Sequence, residues 1–211
     1  MTGPVGVFGG TFDPVHLGHL VAAEAARESL DLQRVLFVPA RRSPHKPGHP
    51  ISAPGDRVAM LELALADNPA FAVETLELER DGPSYTVDTL TTLTERAAAA
   101  GLVADLVFIC STEALRGLPT WREPARILSL ARVAAVPRGL EPPPPPAWLE
   151  DQFGEQAGRI LLLDGPRIDL SGTAIRERVA AGRSIRYLVP APVAAYIADN
   201  GLYQARRRRT R

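Results

Sequence analysis

His16 and His19 stand three residues apart, behind a glycine pair, in the stretch Gly9-Gly10-Thr11-Phe12-Asp13-Pro14-Val15-His16-Leu17-Gly18-His19. On a helical turn that spacing puts both imidazoles on one face, where each can donate a hydrogen bond to a phosphate oxygen. Glycines let backbone approach a ligand that a Cβ would exclude. A helix start adds unpaired N–H groups and a favourable dipole for an anion. Gly9, Gly10, Thr11 and Phe12 are therefore candidate phosphate-binding positions beside the two histidines. Leu170-Ser171-Gly172-Thr173-Ala174-Ile175-Arg176 repeats this chemistry: Ser171 can cap a helix, Gly172 offers its N–H, Thr173 a hydroxyl and Arg176 a guanidinium. Lys46, in Pro44-His45-Lys46, is the only lysine of the chain, and a compact ammonium on a flexible stem suits a phosphate point charge. These residue types grip and align anions, and no paired-carboxylate device accompanies them. His-x-x-His could reach a zinc ion, but no third strong ligand lies near it, so no protein-held metal is expected.

The elements that must position these residues read as an alternation of short apolar runs and helical patterns, which predicts a parallel sheet covered on both faces. Strands are expected at Val5 to Phe8, Arg34 to Val38, Asp105 to Cys110, Arg132 to Val136 and Ile160 to Leu163, with Phe71 to Leu78 extended. Helices are expected over Leu20 to Leu30, Asp56 to Ala66, Thr86 to Ala100, Glu113 to Leu118, Glu123 to Leu130, Ser171 to Ala181 and Pro192 to Asp199. Arg41 to Pro54, with four prolines, reads as a loop, and Gly139 to Pro146 as a stiff polyproline-like connector. Ligands of open α/β sheets sit at the carboxyl ends of strands. That rule puts the opening motif and the loops after Val38 and Cys110 on one rim.

Composition narrows the class. A chain of 211 residues with 45% hydrophobic and 23% charged residues can bury a full core. Net formal charge is zero, which argues against a general electrostatic grip on nucleic acid. The basic block Arg206 to Arg211 reads as a solvated, disordered tail. One cysteine, Cys110, excludes an internal disulfide. With neither a secretion signal nor a membrane-spanning run, a cytoplasmic protein is expected.

The eleven-residue opening string resembles the signature of nucleotidyltransferases that carry a (His/Thr)-x-Gly-His motif, in the form found in bacterial nicotinate-mononucleotide adenylyltransferases. Four motifs in family order extend the resemblance from about Val5 to Tyr203. Pro44-His45-Lys46 matches an element whose lysine approaches the triphosphate. Leu170 to Arg176 is similar to the family's Ile-Ser-Ser-Thr-x-Ile-Arg, with Leu170 for Ile and Gly172 for Ser. Gly82 to Leu90 is similar to Gly-x-Ser-Tyr-Thr-x-Asp-Thr-Leu, and Leu118-Pro119-Thr120-Trp121 to the segment whose tryptophan stacks on a pyridine ring. One stretch departs: where the family has Phe-Ile-x-Gly-x-Asp-x-Leu, this chain has Ser111 for the glycine and Glu113 for the aspartate.

The resemblance implies an α/β fold: a Rossmann-like doubly wound parallel sheet over residues 1–170, with a small C-terminal helical part over 171–205. It implies adenylyl transfer from ATP to nicotinate mononucleotide, with Mg2+ entering as the ATP counterion. His16, His19, Lys46 and Arg176 would be catalytic, and Gly9 to Phe12 with Ser171 to Thr173 would hold ATP phosphates. Ser84, Tyr85, Thr86, Ser111, Glu113 and Trp121 would line the acceptor site. Two other readings stay compatible with these residues: a sister transferase acting on nicotinamide mononucleotide or another phosphorylated acceptor, and a nucleotide-binding relative without catalysis. A homo-oligomer stays open.

Overall fold

Six apolar stretches form one all-parallel sheet in the computed structural model, which describes residues 3–42, 52–139 and 142–204. In chain order the elements are β1 (Val5–Gly10), α1 (Leu17–Ser29), β2 (Arg34–Pro39), α2 (Pro54–Leu65), β3 (Phe71–Val73), α3 (Leu76–Glu79), α4 (Thr86–Ala99), β4 (Leu106–Ser111), α5 (Thr112–Gly117), α6 (Pro124–Leu130), β5 (Ala131–Val136), α7 (Pro146–Phe153), β6 (Ile160–Leu162), α8 (Gly172–Ala180) and α9 (Ala191–Asp199). The strand order is β3-β2-β1-β4-β5-β6. This is the doubly wound Rossmann-like order, with its switch point between β1 and β4. Phe8 pairs with both Phe37 and Ile109, so the carboxyl ends of β1, β2 and β4 lie on one rim.

The strands read as continuous apolar runs because both faces of the sheet are covered. On one face Phe8, Val35, Phe37 and Ile109 pack with Met60 and Leu61 of α2 and with Ile175, Val193 and Ile197 of the C-terminal helices. On the other, Val7, Phe108, Cys110 and Val133 pack with Leu90, Leu115, Ile127 and Leu149. The C-terminal helices thus share a core with the sheet rather than forming one of their own.

Three expectations change. Phe71 to Leu78 is extended only to Val73. The Glu74 carboxylate accepts the Leu76 N–H at 3.1 Å and the chain turns into α3. The proline run ends in a helix: Pro146 takes the first helical position of α7, where a missing N–H costs nothing. Helix α1 begins a turn earlier than its apolar pattern, with His16 as its N-cap. The arginine tail lies outside the described residues.

Candidate active site

Backbone geometry at the end of β1 is set by one aromatic ring. Phe12 is buried at φ 49°, and a Cβ on Gly10 would lie 2.9 Å from that ring, so the second glycine is required there. At Gly9 the same test meets only Phe108, at an ordinary 3.6 Å. The turn continues through a cis Asp13-Pro14 bond into His16.

The two imidazoles do stand on one face, and closer than spacing alone requires. Their rings stack at 3.6 Å, 20° from parallel. The His16 N–H donates to Nδ1 of His19 at 3.2 Å, which leaves the proton of a neutral His19 ring on Nε2. Phe8 and Phe12 meet the His19 ring edge-on at 6.0 and 5.0 Å and hold its orientation. His16 is only 3% exposed. Burial pulls its imidazole down to about 4, and the Arg138 guanidinium adds to the shift. His16 is therefore a neutral ring at physiological pH. Gly18 makes room for it: a Cβ there would sit 3.2 Å from His16 Nδ1.

The second anion-gripping motif docks directly on the first. Ser171 caps α8 by accepting the Ala174 N–H at 3.1 Å. Arg176 donates from Nη1 to the Asp13 carbonyl at 2.6 Å and from Nη2 to Thr173 Oγ1 at 3.1 Å. The approach explains Gly172, since a Cβ at that position would lie 2.7 Å from the Asp13 carbonyl oxygen. Arg138, at the end of β5, donates to the Leu170 carbonyl at 2.6 Å and steadies the chain entering α8.

The residues expected on the acceptor side rest on different supports. Ser84 donates its N–H to the Arg42 carbonyl at 2.9 Å, and its hydroxyl accepts the Arg41 N–H at 3.0 Å. Tyr85 caps α4, of which Thr86 is the first residue, and the Arg122 guanidinium lies 4.9 Å over the Tyr85 ring. Trp121, the neighbour of Arg122, meets Phe108 edge-on at 5.9 Å. Ser111 spends its side chain on capping α5, accepting the Ala114 N–H at 3.1 Å. Glu113 is 69% exposed and 4.0 Å from Arg138, an outward position rather than a pocket-lining one. His45 and Lys46 lie outside the described residues.

Three further residues bind this corner together without having stood out in the sequence. Asp13 accepts the Tyr203 hydroxyl at 2.6 Å and the Ser52 N–H at 3.2 Å. Arg57 is wholly buried beneath the same loops. Its sequence signal was available: Arg57, Met60, Leu61 and Ala64 form one i, i+3, i+4, i+7 stripe, and every member is buried. Asp13 and Tyr203 carried no comparable signal, because their partners are remote in sequence.

The cytidylyltransferase-like family model matches residues 7–178. A protein of Roseiflexus sp. (strain RS-1), named "Probable nicotinate-nucleotide adenylyltransferase", is 46% identical over 201 residues, 95% of this chain and 98% of that one. The chain belongs to the nicotinate-nucleotide adenylyltransferases of the cytidylyltransferase-like family. Solved structures carry the same fold at low identity. Plasmodium falciparum nicotinic acid mononucleotide adenylyltransferase, complexed with APC, superposes with a TM-score of 0.75 at 15% identity, covering 95% of this chain and 97% of that one. The same enzyme complexed with NaAD gives 0.74 at 16%, with the same coverage. No helix among the described residues is long and apolar enough to cross a membrane.

Proposed function

We propose that this chain transfers the adenylyl group of ATP to nicotinate mononucleotide, giving nicotinate adenine dinucleotide and pyrophosphate, as a cytoplasmic enzyme. The observation that carries the reading is the junction of the two anion-gripping motifs. Arg176 reaches the Asp13 carbonyl at 2.6 Å across 163 residues, at the switch point of the sheet. The chain is nearly half identical to a protein named for this activity.

The acceptor's phosphate oxygen attacks the α-phosphorus of ATP. A P–O bond forms as the bond to the β-phosphate bridge breaks, and pyrophosphate leaves with the electron pair. The nucleophile is anionic at neutral pH, so no general base is needed and catalysis rests on alignment and charge stabilisation. His19, its Nδ1 occupied by the His16 N–H, offers Nε2–H to the α-phosphate. His16, neutral and buried, keeps the stacked pair from carrying two charges. The backbone of Gly9 to Phe12 faces the nucleotide, and Lys46, Ser171, Gly172, Thr173 and Arg176 take the departing pyrophosphate. Trp121 stacks on the pyridine ring, and the start of α4 at Thr86 meets the nicotinate carboxylate. Ser84 and Tyr85 brace that start, while Ser111 borders the ribose.

Mg2+ arrives with ATP and belongs to the substrate. Among the described residues no cluster of three His, Cys, Asp or Glu could hold a metal. Each Asp13 carboxylate oxygen accepts one hydrogen bond, from Tyr203 and from the Ser52 N–H. In this reading the ion's ligands are mainly phosphate oxygens and water, as magnesium prefers. Parallel turnover with ATP and either nicotinate or nicotinamide mononucleotide tests the assignment, with the dinucleotide and pyrophosphate both quantified. The acid is expected to be the better acceptor. A preference for the amide, or pyrophosphate release with neither, overturns it.

A further inference from the structure

Arg57 is the largest wholly buried side chain that carries a charge, and it lies on α2 facing the core rather than the crevice. Taking a guanidinium out of water is expensive, and a buried ion is seldom retained for stability alone, because an apolar side chain of similar volume often serves as well. Its contacts indicate what it is kept for. Nη1 donates to the carbonyls of Thr11 at 2.9 Å and Ala40 at 2.8 Å, and Nε donates to the carbonyl of Ser52 at 3.3 Å. Thr11 belongs to the loop leaving β1 and Ala40 to the chain leaving β2. Ser52 leads into α2, whose N-cap is Ala53. The Ala40 N–H donates in turn to the Gly10 carbonyl at 2.8 Å. Ser52 is gripped twice, its carbonyl by Arg57 and its N–H by the Asp13 carboxylate at 3.2 Å. Nη2 is buried without a hydrogen-bond partner among the described residues. Burial lowers the guanidinium pKa and the nearby Asp13 charge raises it again. An arginine retains its charge through such opposing shifts.

We propose that Arg57 is a positioning residue for the transfer reaction: through the carbonyls of Thr11, Ala40 and Ser52 it fixes the loop leaving β1, which presents donors to the ATP phosphates, against the chain leaving β2 and the residue leading into α2. It touches no substrate. A lysine keeps the charge, but its single ammonium cannot span three carbonyls in the fixed fork of a guanidinium. The proposal rests on the adenylyl-transfer reading, and wild-type turnover measured in the same assay separates failure of one from failure of the other.

The test compares the full chain carrying Arg57→Lys with wild type, at a temperature where thermal melts show both folded. Arg57→Lys is expected to lose about 10- to 100-fold in kcat with the acceptor KM changed less than about threefold, the mark of misaligned reacting groups. In Arg57→Ala, methylguanidinium added to the buffer is expected to restore turnover while the folded fraction stays constant. Unchanged kcat in Arg57→Lys, or turnover that only follows the melting curve, makes Arg57 a structural residue and overturns the proposal. If neither Arg57 variant folds, Ser52→Pro decides. It removes the Ser52 hydroxyl and the N–H that Asp13 accepts, loosening the chain end that Arg57 grips, and is expected to lower kcat with the acceptor KM unmoved; an unchanged kcat overturns the proposal.

Discussion

The two halves of the proposed crevice are built in different ways. On the phosphate side, partly buried contacts between residues remote in sequence tie the two motifs together. Arg176 is held by Asp13, Asp13 by Tyr203 and Ser52, and the loops by Arg57. On the acceptor side the supports are more exposed, whether local or remote in sequence. Ser111 caps its own helix, Arg122 pairs with exposed Asp88 at 3.5 Å, and Glu113 faces outward. A buried, cross-linked donor site is preorganised for charge that develops in the transition state, which is where electrostatic catalysis gains most. A partly exposed acceptor site can change its residues at small cost. The chain's departures from the family pattern follow this division. Ser111 and Glu113 sit on the adjustable side, while Gly172, on the rigid side, comes with a close approach that leaves no room for the family's serine.

The comparison breaks most visibly if the rigid side proves dispensable. His19→Ala is expected to cost about 1000-fold in kcat, the upper range for deleting one preorganised donor. Circular dichroism should show the fold intact, and turnover within an order of magnitude of wild type would remove His19 from the mechanism. A smaller effect is expected from restoring the family residue, Gly172→Ser. Its Cβ would stand 2.7 Å from the Asp13 carbonyl, and relieving that overlap costs about 1–3 kcal/mol. Chemical denaturation reads the loss, and an unchanged midpoint would show that the rigid side yields more easily than its packing implies.

A third effect, dependent on pH, is the contribution of His16. Its folded value of about 4 lies below the ordinary 6.5, so the unfolded chain binds the proton first as pH falls. Stability is fully present above 6.5 and is lost on acidification from there to about 4, at about 1.4 kcal/mol per pH unit. Urea midpoints between pH 7 and 5 should therefore fall less steeply in His16→Asn than in wild type. Parallel slopes would show that His16 does not titrate as a buried neutral ring.

Much of this was legible in the sequence. The apolar runs of β1, β2, β4 and β5 announce buried parallel strands because both faces of the sheet are covered. Both anion-gripping motifs were readable as helix starts preceded by glycine or serine. Less visible were features whose cause lies elsewhere in the chain. Helix α7 was hidden behind a proline run whose last member starts it. The truncation of β3 depends on a carboxylate cap at Glu74. Asp13 drew no reading of its own because Tyr203, Ser52 and Arg176 reach it only in the fold. Arg57 could have been found, since an arginine on an apolar stripe is an anomaly that periodicity alone exposes.

The division of labour is tested most directly by steady-state kinetics of Arg176→Ala and Trp121→Ala side by side, with both KM values and kcat measured for each. The account predicts that Arg176→Ala loses about 100-fold in kcat with the acceptor KM nearly unmoved, because its contacts are with departing charge. It predicts that Trp121→Ala raises the KM for nicotinate mononucleotide about tenfold, the stacking contribution of one aromatic face, with the KM for ATP unchanged. If Arg176→Ala shifts only the acceptor KM, or Trp121→Ala lowers kcat with both KM values intact, the two halves are not separate and the account is wrong.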